Sequence, residues 1–186
     1  MPKFVERILL DEYMALPEEK PYLELLDGLV VEKCMGCYRQ QTLVTDLLVA
    51  LAGFAHDRGL PTPLPYVSCS DSTRKWVFVP AISWFSRERA PWSSRETPHP
   101  LPVLPELMVE SMREGEHAGW MLRRIAHCLA NGVELFWAID ADTRTVTEWR
   151  PGSPSRDYAA SGRIGAAPAL PEFELDLARL FGALDD

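Results

Sequence analysis

Nothing in the sequence approaches the roughly 20 consecutive apolar residues a membrane-spanning helix requires, so a bilayer span is not expected. Met1 to Arg7 also lacks the basic region and long apolar stretch of a signal peptide, and the expected compartment is the cytoplasm. Cysteine is scarce. Four residues, Cys34, Cys37, Cys69 and Cys128, are too few and too dispersed to staple a chain of 186 residues, and in a reducing compartment they stay thiols. Positive charge is short as well: 19 Lys and Arg against 27 Asp and Glu leave a formal charge of −8. That balance opposes non-specific attraction to nucleic acid, so a DNA contact would need a local basic face. Candidates for one are Arg74 with Lys75, Arg87 with Arg89, and Arg113, Arg123 and Arg124; the competing reading is solvated surface charge. Glycine-rich phosphate loops and a G-x-S-x-G nucleophile elbow are missing, and His56, His99, His117 and His127 share no metal-ligand spacing.

What is present is ordinary globular material. Hydrophobic residues make up 47% and charged residues 25%, and the length suits a single domain spanning 1–186 with one sizeable core. Residues 4–19 place Ile8, Leu9, Tyr13 and Leu16 on one face of a short helix. Two apolar runs, 22–26 and 29–33, flank Asp27-Gly28, a strong hairpin signal. From 39 to 58, Leu43, Leu47, Leu48, Leu51, Ala52 and Ala55 recur at helical spacing, with Gly59 as the cap.

The proline-rich stretch 60–105 predicts strands at 65–70, 76–79 and 82–85, then a surface loop over 87–102. A buried strand at 107–112, a helix at 119–131 closed by Gly132, and a strand at 133–140 form a candidate parallel crossover unit. A strand at 145–150 follows, and a short amphipathic helix is expected over 175–183. Trp76, Trp84, Trp120 and Trp137 sit in apolar patterns and are read as core in preference to base-stacking platforms. The single Cys34-Met35-Gly36-Cys37 motif is open to three readings: half of a zinc site, a redox pair, or inert loop residues, the last favoured because no second pair is visible.

Two passages carry the chemistry. One is Val79-Pro80-Ala81-Ile82-Ser83-Trp84-Phe85; the other is Pro105-Glu106-Leu107-Met108-Val109-Glu110-Ser111, followed by a helix and Asn131-Gly132-Val133-Glu134-Leu135-Phe136-Trp137-Ala138-Ile139-Asp140. With Glu24-Leu25-Leu26-Asp27-Gly28 before them and Leu170-Pro171-Glu172-Phe173 after, the chain resembles the Uma family of putative restriction endonucleases, of the PD-(D/E)XK superfamily. The resemblance runs over nearly the whole chain. It implies an α/β fold, a restriction-endonuclease-like mixed sheet flanked by helices. It also implies DNA phosphodiester hydrolysis with Mg²⁺ or Mn²⁺, DNA as partner, and a homodimer.

By the same resemblance Glu110 is a metal-binding carboxylate, Glu24 a further acidic site residue, and Arg124 stands where the family has its basic catalytic residue. The family's metal-binding Asp, in a V-x-P-D pattern, falls at Ala81, whose methyl cannot coordinate a cation. Gln40 stands in place of a histidine, and Leu29 in place of an acid. The expectation is a catalytically impaired relative in which Ala81→Asp strengthens metal binding; the alternative is a non-catalytic protein- or nucleic-acid-interaction module on the same scaffold. For Glu110 the bland reading is a strand carboxylate paired with Arg123 or Arg124, and for Glu24 a solvent-facing hairpin residue.

Overall fold

The computed structural model describes residues 6–17, 22–33, 36–92, 97–112 and 118–185; Cys34, Arg113 and His117 lie outside them. The first helix, α1 (Leu10–Met14), is shorter than the expected 4–19, and the Glu12 carboxylate accepts the Leu9 N–H at its start, at 2.9 Å. Next come β1 (Leu23–Leu26) and β2 (Leu29–Glu32), paired antiparallel about the Asp27-Gly28 turn. Both turn residues have positive φ, 55° and 79°, the geometry that matches a two-residue turn to strand twist.

The long helix α2 (Tyr38–Asp57) buries Leu43, Val44, Leu47, Leu51 and Ala55, as its periodicity requires, and Gly59 follows it at φ 63°. Its first turn is tied by Gln40, whose Oε1 accepts the Cys37 N–H at 2.9 Å.

The strand expected over 65–70 is in fact two. At Tyr66 φ is 51°, so the chain turns, and β3 (Leu64–Pro65) and β4 (Cys69–Ser70) join different sheets. Beyond them lie β5 (Val77–Phe78) and β6 (Ile82–Trp84). The crossover unit is present as β7 (Leu107–Met112), α3 (Ala118–Ala130) and β8 (Leu135–Asp140), with the two strands parallel from Leu107↔Leu135 to Met112↔Asp140. Then follow β9 (Thr145–Trp149), β10 (Arg156–Ala159), β11 (Arg163–Gly165) and β12 (Glu174–Asp176). The last helix, α4 (Leu177–Gly182), starts later than expected because 174–176 is strand, and the Asp176 side chain caps it by accepting from Ala178 N and Arg179 N.

Among the described residues three sheets result. The largest has the order β10-β9-β8-β7-β6-β3, antiparallel except for β7 beside β8; a four-stranded sheet runs β2-β1-β5-β4; and β11 pairs with β12. Side chains alternate across the large sheet. Leu107, Val109, Leu135 and Trp137 enter a core with Leu43, Leu47 and Leu51 of α2 and Leu177 and Phe181 of α4. Met108, Phe136 and Ala138 face the other way, against Met121, Ile125 and Cys128 of α3 and Leu26 and Phe78 of the smaller sheet. Glu110, two residues after Met108, therefore lies on this second face. Among the described residues no helix is long and apolar enough to cross a membrane.

Candidate active site

Between the large sheet, α3 and the hairpin, four charged side chains meet out of solvent: Glu24 is 2% exposed, Glu110 3%, Arg124 6% and Lys33 7%. Each arrives by the logic of its element. On β1, Leu25 faces Val30 and Val77, so its neighbours Glu24 and Leu26 turn the opposite way, inward. Arg124 lies on α3 one position before the buried Ile125. Lys33 extends β2: its N–H donates to Tyr22 O at 2.7 Å, continuing the register in which Leu23 faces Glu32. That register sets Val31 opposite Glu24, and Lys33, two residues on, shares their face.

The contacts leave no carboxylate oxygen free. Arg124 Nη1 donates to Glu24 Oε2 at 2.7 Å, and Nη2 to Glu24 Oε1 at 2.9 Å and to Glu110 Oε1. Lys33 Nζ donates to Glu110 Oε2 at 2.7 Å and stands 3.9 Å from Glu24 Oε1. The backbone N–H of Val79 gives Glu24 Oε1 a further bond at 2.7 Å. Arg124 is also seated over the Phe78 ring, 5.1 Å from its centroid. Burial opposes the charged form of Glu24, but Arg124, Lys33 and the Val79 N–H outweigh it and hold the carboxyl below its ordinary range. Burial likewise opposes charge on Arg124, and the two glutamates more than offset it, raising its pKa.

Ala81 directly precedes β6, whose register with β7 starts at Ile82 opposite Val109, and it is packed with Ile82 and Trp84 in the core beneath α2. It is 2% exposed. Gln40 donates through Nε2 to Met112 O at the end of β7, so it fastens the start of α2 to the strand that carries Glu110. Asp71, a nearby acid in the sequence, is engaged elsewhere, by His127 Nε2 at 3.0 Å and Thr73 Oγ1 at 2.6 Å.

A divalent cation needs several oxygen ligands and negative charge to balance it. Here two carboxylates face two cationic side chains, a formal sum of zero, and among the described residues no three His, Cys, Asp or Glu side chains gather as they would around a metal. The residues present do not fit Mg²⁺ or Mn²⁺.

Sequence reasoning selected Glu24, Glu110 and Arg124, which the fold brings together. It missed Lys33, although strict alternation along the hairpin was enough to set it beside Glu24. The basic candidates are dispersed and largely paired: Arg74 with Asp11, Arg123 with Asp27 at 3.5 Å, and Arg89 with Glu106 at 3.2 Å and Glu134 at 3.5 Å. Three of the four tryptophans read as core, Trp76, Trp84 and Trp137, are buried; Trp120 is partly buried against the α3-side cluster.

The family model described as Uma2, putative restriction endonuclease, matches residues 10–178. The chain belongs to this family. Its fold is also that of a crystal structure described as a putative nuclease belonging to DUF820 from Anabaena variabilis ATCC 29413. The TM-score is 0.85, with 23% identity over 95% of this chain and 99% of that one. No curated protein matches. The Uma2 assignment and the shared mixed sheet establish the fold class that the motifs implied.

Proposed function

We propose that this Uma2 protein is a catalytically impaired member of a metal-dependent DNA phosphodiesterase family, with its acidic site turned into an internal ion network. The observation that carries this reading is the charge balance. Ala81 supplies no ligand, and the two remaining carboxylates are taken by Arg124 and Lys33. Phosphodiester hydrolysis in such a fold relies on a bound ion to activate water and to offset charge on the phosphate, so no hydrolytic step follows from these residues. Arginine in the basic position is moreover a poor proton carrier.

The alternative keeps the scaffold and drops the chemistry: an interaction module, working as the homodimer the family resemblance implies. The paired arginines and the charge of −8 favour a protein partner over DNA for that module, since each arginine held by a carboxylate offers less to a phosphate.

Supercoiled plasmid incubated with the purified protein and Mg²⁺ or Mn²⁺ tests the proposal. The expected outcome is plasmid that stays supercoiled. Nicking that Glu110→Ala abolishes would overturn it.

A further inference from the structure

Ala81 offers this site no ligand, and a second feature works against a bound cation: the position of the Lys33 ammonium. The group lies 2.7 Å from one carboxylate and 3.9 Å from the other, between the two acids the site retains. Its stem comes from the hairpin, opposite the arm of Arg124, so the two cations approach the glutamates from different elements. Lys33 is itself 7% exposed, which means that the ammonium is not a surface charge that happens to lean inward. An ammonium buried this way is costly unless carboxylates surround it, and Glu110 and Glu24 do so.

We propose that Lys33 is the built-in counterion of this site and that its ammonium, together with the missing Asp, keeps a divalent cation out. The inference rests on the reading of the site as non-cleaving and names the side chain responsible. Formal charge shows why neither change alone is enough. The present site sums to zero. Ala81→Asp would bring it to −1 while leaving the ammonium in place, where it still competes with any ion for Glu110 and Glu24. Lys33→Met also gives −1, but with only two carboxylates, both still held by Arg124. Both substitutions together give three carboxylates against one guanidinium, −2, the charge that matches a divalent ion. Ala81→Asp by itself is therefore expected to gain less metal affinity than the double variant.

Calorimetric titration of Mn²⁺ into wild type, Ala81→Asp, Lys33→Met and the double variant, each verified by circular dichroism, reads this directly. The double variant should bind Mn²⁺ with an affinity roughly tenfold above the product of the two single effects, within the range over which side chains in one network couple. Equal affinities in the double variant and Ala81→Asp would overturn the role of Lys33. Wild-type nicking would instead overturn the non-cleaving reading, so the two failures are distinguishable. Should Lys33→Met not fold, that loss has its own test: Lys33→Met with Glu110→Gln removes one charge of each sign and should regain the folded state. Failure of the neutral pair to regain it would show that Lys33 does not serve as the counterion of Glu110.

Discussion

The two faces of the large sheet handle polar groups in opposite ways. On the face covered by α2 and α4 the interior is almost wholly apolar, and its buried carboxylate, Glu148, sits at the margin. There it accepts the Trp137 indole N–H at 3.2 Å and meets the half-buried Arg150 at 2.8 Å. On the face covered by α3 and the hairpin, two carboxylates and two cations lie in the midst of Met108, Met121, Phe78 and Cys128. A fold of this size does not need the second arrangement. Apolar side chains of similar volume commonly fill such space as well or better than a buried ion pair does. The difference marks this cluster on chemical grounds: the face that departs from the cheaper solution is the one that holds Glu24 and Glu110, the carboxylates singled out by the family resemblance.

The largest expected effect comes from breaking the buried network at its hub. Arg124→Met leaves Glu24 and Glu110 facing Lys33 alone and should destabilise the fold by about 3–5 kcal/mol, read as a lowered urea midpoint. The matched surface control is Arg144→Met, which removes the exposed pair with Asp185 and should leave the midpoint unchanged. Equal losses from the two variants would erase the distinction between buried and exposed charge on which the account depends.

A smaller effect is expected from acid. The Glu24 carboxyl is held below its ordinary value in the folded protein, so its charge stabilises the fold fully above the unfolded value of about 4.3. That contribution is lost as pH falls from there through the lower folded value. The midpoint should thus drop over this window, and drop less steeply in Glu24→Gln, which carries no carboxyl at this position to be protonated.

Much of the architecture was legible locally. The Asp27-Gly28 turn, the α2 periodicity and the strand-helix-strand passage around α3 all announce themselves within a few residues, because turn chemistry and side-chain period are local signals. β3, β4, β11 and β12 are two or three residues long, too short for alternation to emerge, and the reversal at Tyr66 depends on a positive φ that no glycine advertises. The site was legible in part for the same reason. Glu24, Glu110 and Arg124 lie in motifs, whereas Lys33 lies in none, and its role arises from a contact spanning 77 positions.

The most direct test of the central claim, that the site is closed by its own cations, is the thermal midpoint of the wild-type protein in excess Mg²⁺ compared with the same protein in chelator. Any ion bound by the folded state alone must raise the midpoint by mass action. The account predicts coincident unfolding curves; a rise with Mg²⁺ that disappears in Glu110→Ala would contradict it.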